Sequence, residues 1–173
     1  MSRSADSGGD ARLRHPSGED GPAISALIAA CPPLDVNSAY CNLLQCTHFA
    51  DTCVVAERDG AIVGWISGYR PPADPDCLFV WQVAVADEAR GQGLGGRMLA
   101  ALLDRPAARP ILYLSTTITD GNKASWAMFK AFARRHGAFF EKARLFDREQ
   151  HFAGAHDTEW EVRIGPLRSP DQP

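Results

Sequence analysis

The chain has 173 residues, 45% of them hydrophobic and 23% charged, with a formal net charge of −3. That length buries one core and is short for two. The slight acidity, without a basic tract, excludes the electrostatic footprint of a nucleic-acid binder, and no apolar run approaches the roughly 20 residues of a membrane helix.

Met1 to Asp10 is rich in Ser, Gly and Asp and lacks the apolar stretch of a signal peptide. Residues 1–11 therefore read as a disordered lead-in. The five cysteines are odd in number and show no common zinc spacing, which fits reduced thiols in a cytoplasmic protein. Ser17 can cap a first helix whose opening turn holds Glu19 and Asp20. Ile24, Leu27, Ile28 and Cys31 then recur on one helical face until Pro32-Pro33 ends it. A second short helix is expected over Asp35 to Gln45, capped by Asp35 or Asn37. Cys53 to Glu57 and Ile62 to Tyr69 flank Asp59-Gly60, a strong hairpin signal.

Arg70 to Asp76 is a proline-rich loop. Cys77 to Ala86 reads as a long strand, nearly all apolar because both of its faces are covered. Trp81 is expected to alternate with Phe79 and Val83 on one face of it. A helix over Gly93 to Leu103 carries Leu94, Met98 and Leu102 as its buried stripe. Ile111 to Thr116 is the next strand. Asn122 caps a helix that runs through His136, with Trp126, Phe129 and Ala133 on one face and Gly137 as its stop. Strands Ala138 to Leu145 and Thr158 to Ile164 close the chain, joined by a loop holding His151, Gly154 and His156. The order is β-α-α-β-β-β-α-β-α-β-β. It predicts an α/β (α+β) architecture with one mixed sheet and helices on both faces. Residues 12–166 are expected to form one domain and 167–173 a flexible tail.

The richest local signal is Arg90-Gly91-Gln92-Gly93-Leu94-Gly95-Gly96, between a strand and a helix. Glycines there let backbone N–H groups converge on an anion at the positive end of the helix dipole, so a phosphate or pyrophosphate is the natural ligand. The loop literally satisfies G-x-G-x-x-G. It nevertheless follows a late strand, and no acidic residue ends the next strand to hold a ribose, which disfavours a dinucleotide site. A Walker A loop needs Lys then Ser/Thr, where this chain has Arg97-Met98.

The arrangement Val83-Ala84-Val85-x4-Arg90-Gly91-x-Gly93-x-Gly95 resembles the acetyl-CoA loop of GCN5-related N-acetyltransferases, the GNAT family. Asn122-x-x-Ser125-x-x-x-Phe129 resembles the helix that follows in that family. The resemblance implies a GNAT fold whose sheet splays between its fourth and fifth strands. It implies acetyl-CoA as co-substrate and no metal. Val83, Ala84 and Val85 would offer backbone to the pantetheine arm, with their N–H groups polarising the thioester. Arg90, Gly91, Gln92, Gly93, Leu94, Gly95 and Gly96 would hold the pyrophosphate, with Asn122 on the arm. Phe129 stands where the family often has a tyrosine acid, and it cannot protonate a thiolate; either another acid serves, or the thiolate leaves unprotonated, as a thiol pKa near ~8.5 allows.

The segments Cys31 to Leu44, Phe79 to Val85 and His151 to Glu159 resemble the branch of the family that acetylates L-2,4-diaminobutyrate in ectoine synthesis. The acceptor implied is a small diamino acid, reacting at its 4-amino group, in a protein that the family's habit makes a homodimer. A pocket for two ammonium groups needs carboxylates and aromatics, which Asp35, Tyr40, Trp81 and Glu159 supply. Glu159, Asp35 and His156 are the candidate bases. Each has a plainer reading: Asp35 as a helix cap, Tyr40 and Trp81 as core, Glu159 on a solvated face, His156 in a turn. His151, His156 and Asp157 have neither the spacing of a metal site nor a reaction that asks for one. Another small-amine or protein N-acetyltransferase, or a non-catalytic acetyl-CoA binder, would share the cofactor loop.

Overall fold

The computed structural model describes residues 10–106 and 109–167. One sheet of seven strands runs in the order β1-β2-β3-β4-β5-β7-β6. The strands are β1 (Arg12–Arg14), β2 (Val54–Arg58), β3 (Ala61–Tyr69), β4 (Cys77–Val85), β5 (Tyr113–Thr119), β6 (Phe139–Phe146) and β7 (Glu159–Gly165). The helices are α1 (Gly21–Ala29), α2 (Ala39–Thr47), α3 (Leu94–Leu103), α4 (Lys123–His136) and α5 (Arg148–Phe152). All neighbours are antiparallel except β4 and β5, which are parallel.

Two apolar layers sandwich the sheet. On one side Leu94, Met98, Leu99 and Leu102 of α3 and Phe129, Phe132 and Ala133 of α4 pack on Leu78, Val80, Leu114 and Val162. On the other, Ile24, Leu27, Ile28 and Cys31 pack on Val55, Trp65 and Ala84. The helical periodicities read from the sequence supply these faces. The hairpin turn forms at Asp59 (φ 52°) and Gly60 (φ 77°), two successive left-handed residues as a tight turn between twisted strands requires.

Several local expectations need correction. The second helix starts at Ala39, and its cap is Ser38, whose side chain accepts from the Cys41 N–H; neither Asp35 nor Asn37 caps it. The loop before β7 contains the short helix α5, capped by Asp147. Its five residues are too few to register as a helical period. At the chain ends, residues 1–9 and 168–173 lie outside the described residues. Ala11, assigned to the lead-in, is buried, and its carbonyl accepts from Arg97. Leu167, assigned to the tail, is buried and donates its N–H to Leu112 O at 2.7 Å.

Two irregularities shape the middle of the sheet. Ser67 pairs with Gln82 and Gly68 with Val80, so Trp81 is the extra residue of a β-bulge. The bulge reverses the side-chain phase: Val80 and Val83 lie on the α3/α4 side, whereas Ala84 lies on the α1 side. The expected alternation of Trp81 with Val83 fails for this reason. The second irregularity is the splay. Pairing of β4 with β5 ends at Val80–Thr116, although β4 continues to Val85 and β5 to Thr119.

Candidate active site

The splay sets the backbone chemistry. Ala86 N–H donates to Val63 O on the β3 side. By the two-residue alternation of an antiparallel ladder, Gln82 and Ala84 also direct their backbone toward β3, and Val83 and Val85 direct theirs into the gap. Val85 O is met there by Arg90 Nε (3.1 Å) and Cys31 Sγ (3.4 Å). The Val83 N–H and C=O and the Val85 N–H line the open edge of β4. Ala84 presents nothing to the gap, since its side chain is buried on the α1 side.

The glycine loop lies just beyond this edge. Gly91 (φ 74°) and Gly93 (φ 70°) adopt left-handed conformations that few other residues tolerate. The first bond of α3 runs from Arg97 N–H to Gly93 O, so the N–H groups of Leu94, Gly95 and Gly96 project from the helix end. A Cβ added at Gly91, Gly93 or Gly96 would meet nothing within 4 Å, so the concave side of the loop is open. At Gly95 it would fall 2.6 Å from Met128 Sδ; that glycine lets α3 approach α4.

Side chains of the loop mostly brace it. Gln92 donates to Glu88 O and accepts from Arg58 Nη2, both at 2.8 Å. Arg90 pairs with Asp87 at 2.7 Å, and Leu94 is buried in the core. The loop thus offers an anion mainly backbone N–H groups and the helix dipole. Asn122 Oδ1 caps α4 by accepting from Ser125 N–H (3.1 Å). The ring of Phe129 is 2% exposed and belongs to the core.

Across the sheet, three titratable groups converge. His156 Nε2 lies 3.5 Å from Asp35 Oδ2 and 3.8 Å from Glu159 Oε1. Its other nitrogen, Nδ1, is 2.8 Å from Asp157 O, which makes Nδ1 the N–H donor and points Nε2 at the two carboxylates. That backbone bond is the largest influence raising the His156 pKa; the two carboxylates add to it and partial burial opposes it. Phe152 packs on the imidazole, ring centroids 4.7 Å apart.

Glu159 opens β7, opposite Thr119 on the splayed part of β5. Its side chain is only 18% exposed, which rules out a solvated face. Burial raises its pKa; a hydrogen bond with Thr117 and the charge of His156 oppose the rise, and Asp35 adds to it. Asp35 is 80% exposed and, freed of any capping role, faces His156.

Tyr40 and Trp81 are 70% and 48% exposed, so neither is core, and Trp81 meets Tyr69 edge-on at 6.4 Å. Among the described residues neither is hydrogen-bonded to Asp35, His156 or Glu159. His151 is used within its own turn, accepting from Asp147 N–H at 2.8 Å, and Asp157 pairs with Arg148. Among the described residues no group of three His, Cys, Asp or Glu side chains is arranged to hold a metal.

Sequence reasoning missed a part-buried polar chain that ends on Asp35. Gln82 Nε2 donates to Asp35 O (2.7 Å), and Asn37 Nδ2 donates to Gln82 Oε1 (2.7 Å) and Asn42 Oδ1 (3.2 Å). Asn42 Nδ2 donates to Ser25 Oγ (2.7 Å). The available signal was a lone Gln inside an apolar strand, which a strand buried on both faces does not admit without partners.

The acetyltransferase (GNAT) family model matches residues 23–133. L-2,4-diaminobutyric acid acetyltransferase of Methylotuvimicrobium alcaliphilum is 50% identical over 157 residues, 91% of each chain. The protein of that name from Halomonas elongata is 46% identical over 158 residues, 91% of this chain and 82% of its own. Among solved structures, the diaminobutyrate acetyltransferase EctA of Paenibacillus lautus, in complex with L-2,4-diaminobutyric acid and coenzyme A, superposes with a TM-score of 0.88. It is 36% identical, and the match covers 95% of this chain and 100% of that one.

The raised pKa of Glu159 has a consequence for stability. Its ionised form is disfavoured by the fold, so it costs nothing below the free value of 4.5. The cost grows as pH rises between that value and the raised folded one, and is full above it. Glu159→Gln removes the charge at nearly constant shape. The variant should melt above wild type at neutral pH and level with it near pH ~4. Thermal melts across that range check this; a variant less stable than wild type at neutrality contradicts the assignment.

Proposed function

The chain belongs to the GNAT acetyltransferase family, and on that premise we propose that it transfers the acetyl group of acetyl-CoA to the 4-amino group of L-2,4-diaminobutanoate. The products are N4-acetyl-L-2,4-diaminobutanoate and CoA, the acetylation step of ectoine synthesis. The observation that carries this reading is the juxtaposition of Asp35, His156 and Glu159 beside the splay. Two carboxylates stand there about one imidazole, the charge pattern a diammonium acceptor needs.

Acetyl-CoA supplies an activated acyl group as a thioester. The N–H groups of Leu94, Gly95 and Gly96 bind its pyrophosphate, and the open concave side of the loop fits that anion. The unpaired edge of β4 at Val83 and Val85 takes the pantetheine arm as a neighbouring strand would, and Asn122 bonds it from the start of α4. The Val83 N–H donates to the thioester oxygen as negative charge develops there.

The acceptor nitrogen must first lose a proton. Holding an amine of pKa ~10.4 neutral near pH 7 costs about 4–5 kcal/mol at 1.36 kcal/mol per unit. Glu159 takes that proton: burial has made its carboxylate a stronger base than an exposed one. Asp35 holds ammonium, with Tyr40 and Trp81 as cation-compatible walls. His156 sits between the carboxylates and is displaced from them, or relays the proton, as the diamine enters. The free amine attacks the carbonyl carbon, the C–S bond breaks, and the second proton shed by the new amide nitrogen passes to the departing thiolate or to solvent, so no protein acid is needed at Phe129. The amine beside the acceptor's carboxylate is its weaker base and would react first unaided. Selecting the 4-amino group therefore requires the base to stand at that end.

Residues 12–166 act in this reading as one catalytic domain. No described helix is long and apolar enough to cross a membrane, and five free thiols suit a reducing cytoplasm. Phe139, Leu145 and Phe146 are exposed on the edge strand β6, which supports a homodimer through that edge; a monomeric mass in sedimentation equilibrium refutes it.

Incubation with acetyl-CoA and L-2,4-diaminobutyrate should give a single product whose new amide proton couples to the side-chain methylene in NMR. Coupling to the α-proton, or no turnover beside brisk acetylation of another amine, rejects the acceptor assigned above. Gly96→Val places a side chain in open space at the phosphate-facing helix end, without the Met128 clash at Gly95. CoA affinity should fall at least about tenfold with the melting temperature retained, as read by calorimetry. Unchanged affinity removes the loop from the cofactor site.

A further inference from the structure

The extra residue at Trp81 has a second effect. It turns the next side chain, Gln82, onto the α1/α2 side of the sheet, where it is 6% exposed. There its carboxamide is used at both ends. Nε2 donates to Asp35 O and Oε1 accepts from Asn37 Nδ2, each at 2.7 Å. Among the described residues this is the one hydrogen bond made by the Asp35 main chain. We propose that Gln82 is a positioning residue for the acceptor: it clasps the Asp35–Asn37 segment to β4, one residue before Val83, and so fixes the acceptor's carboxylate partner relative to the acyl carbonyl. The proposal rests on the reading of Asp35 as that partner.

Chemistry explains why a glutamine is needed. The clasp requires a donor toward a carbonyl and an acceptor toward an amide, on one side chain long enough to leave the strand. Glutamate lacks the donor, leucine and methionine lack both, and asparagine is one methylene short. Water cannot replace the lost bonds cheaply at a site this buried. The far end of the clasp is itself anchored, because Asn37 also bonds Asn42 on α2, and Asn42 bonds Ser25 on α1. Asp35 carries a side chain 80% exposed, which without the clasp would have only His156 to orient it.

The test is a double-mutant cycle read by initial rates with acetyl-CoA and L-2,4-diaminobutyrate. Gln82→Met should lower kcat/KM for the diamino acid roughly tenfold to a hundredfold, chiefly through KM, with the KM for acetyl-CoA held within about twofold. In an Asp35→Ala background the same change should cost less than about threefold, because the group being positioned is gone. Equal losses in both backgrounds, or equal losses for both substrates, overturn the proposal. Gln82→Glu keeps the acceptor for Asn37 and removes the donor to Asp35, so it should reproduce the loss if Gln82→Met folds poorly. Amide hydrogen exchange of residues 34–38 should be faster in Gln82→Glu than in wild type without any substrate, and unchanged exchange overturns the clasp. A wild-type protein that does not turn over diaminobutyrate sinks the acceptor assignment alone, and the exchange measurement still decides the clasp.

Discussion

Past Val80 and Thr116, two strands that begin as bonded neighbours part, and the backbone of β4 is left with polar groups that nothing in the sheet receives. Backbone N–H and C=O groups left unpaired in a protein interior are costly, so a gap of this kind persists only where something else can fill it. The rest of the site follows from that constraint. The glycine loop comes directly off the end of the same strand, with its N–H groups projecting where an extended ligand along β4 would end in phosphate. Glu159 stands at the first residue of β7, beside the parted section of β5, where such a ligand would present its other end. In the reading proposed above, one interrupted ladder sets the positions of both ends of a long co-substrate.

The bulge at Trp81 is what lets one strand direct Val83 to one face of the sheet and Gln82 to the other. A regular β4 would place residues 78, 80, 82 and 84 on one face and leave Gln82 among the apolar side chains of α3 and α4. With one residue added, Val83 packs toward those helices, Gln82 turns to the acceptor side and Trp81 is left half exposed. Bulges commonly sit next to active sites for this reason: they re-aim side chains without breaking the strand. Asp35, Gln82 and the 156–159 segment come from three distant stretches of chain, and the sheet brings them together.

The outline was legible because each element carried its own punctuation. Asp59-Gly60, Asn122 and Gly137 marked ends at the residues where the structure has them, and the spacing of Leu94, Met98 and Leu102 matched a single buried stripe. The glycine loop was legible because a left-handed backbone leaves a trace in sequence: Gly91 and Gly93 both have positive φ. The acceptor side was less so. Resemblance named Asp35, His156 and Glu159, but their convergence depends on β7 lying beside β5, which no local pattern encodes. The bulge was invisible, since Trp81 and Val83 fit a regular alternation as well as a broken one. Ser38 was passed over as a cap in favour of nearby Asp35 and Asn37, although all three residue types cap helices well. The bond that decides how Asn37 is used lies 45 residues away, on Gln82.

The two rims of the sheet are unequal. β1 has only three residues, and Arg14 on it is tied to Asp20 and Glu57 at 2.8 Å, which leaves that rim short and salt-bridged. β6 has eight residues and exposed aromatic ends. Charged, abbreviated rims resist strand addition, and long apolar ones invite it. In the homodimer proposed above, pairing of the β6 rims about a two-fold axis would close the assembly at two subunits and cover the exposed strand.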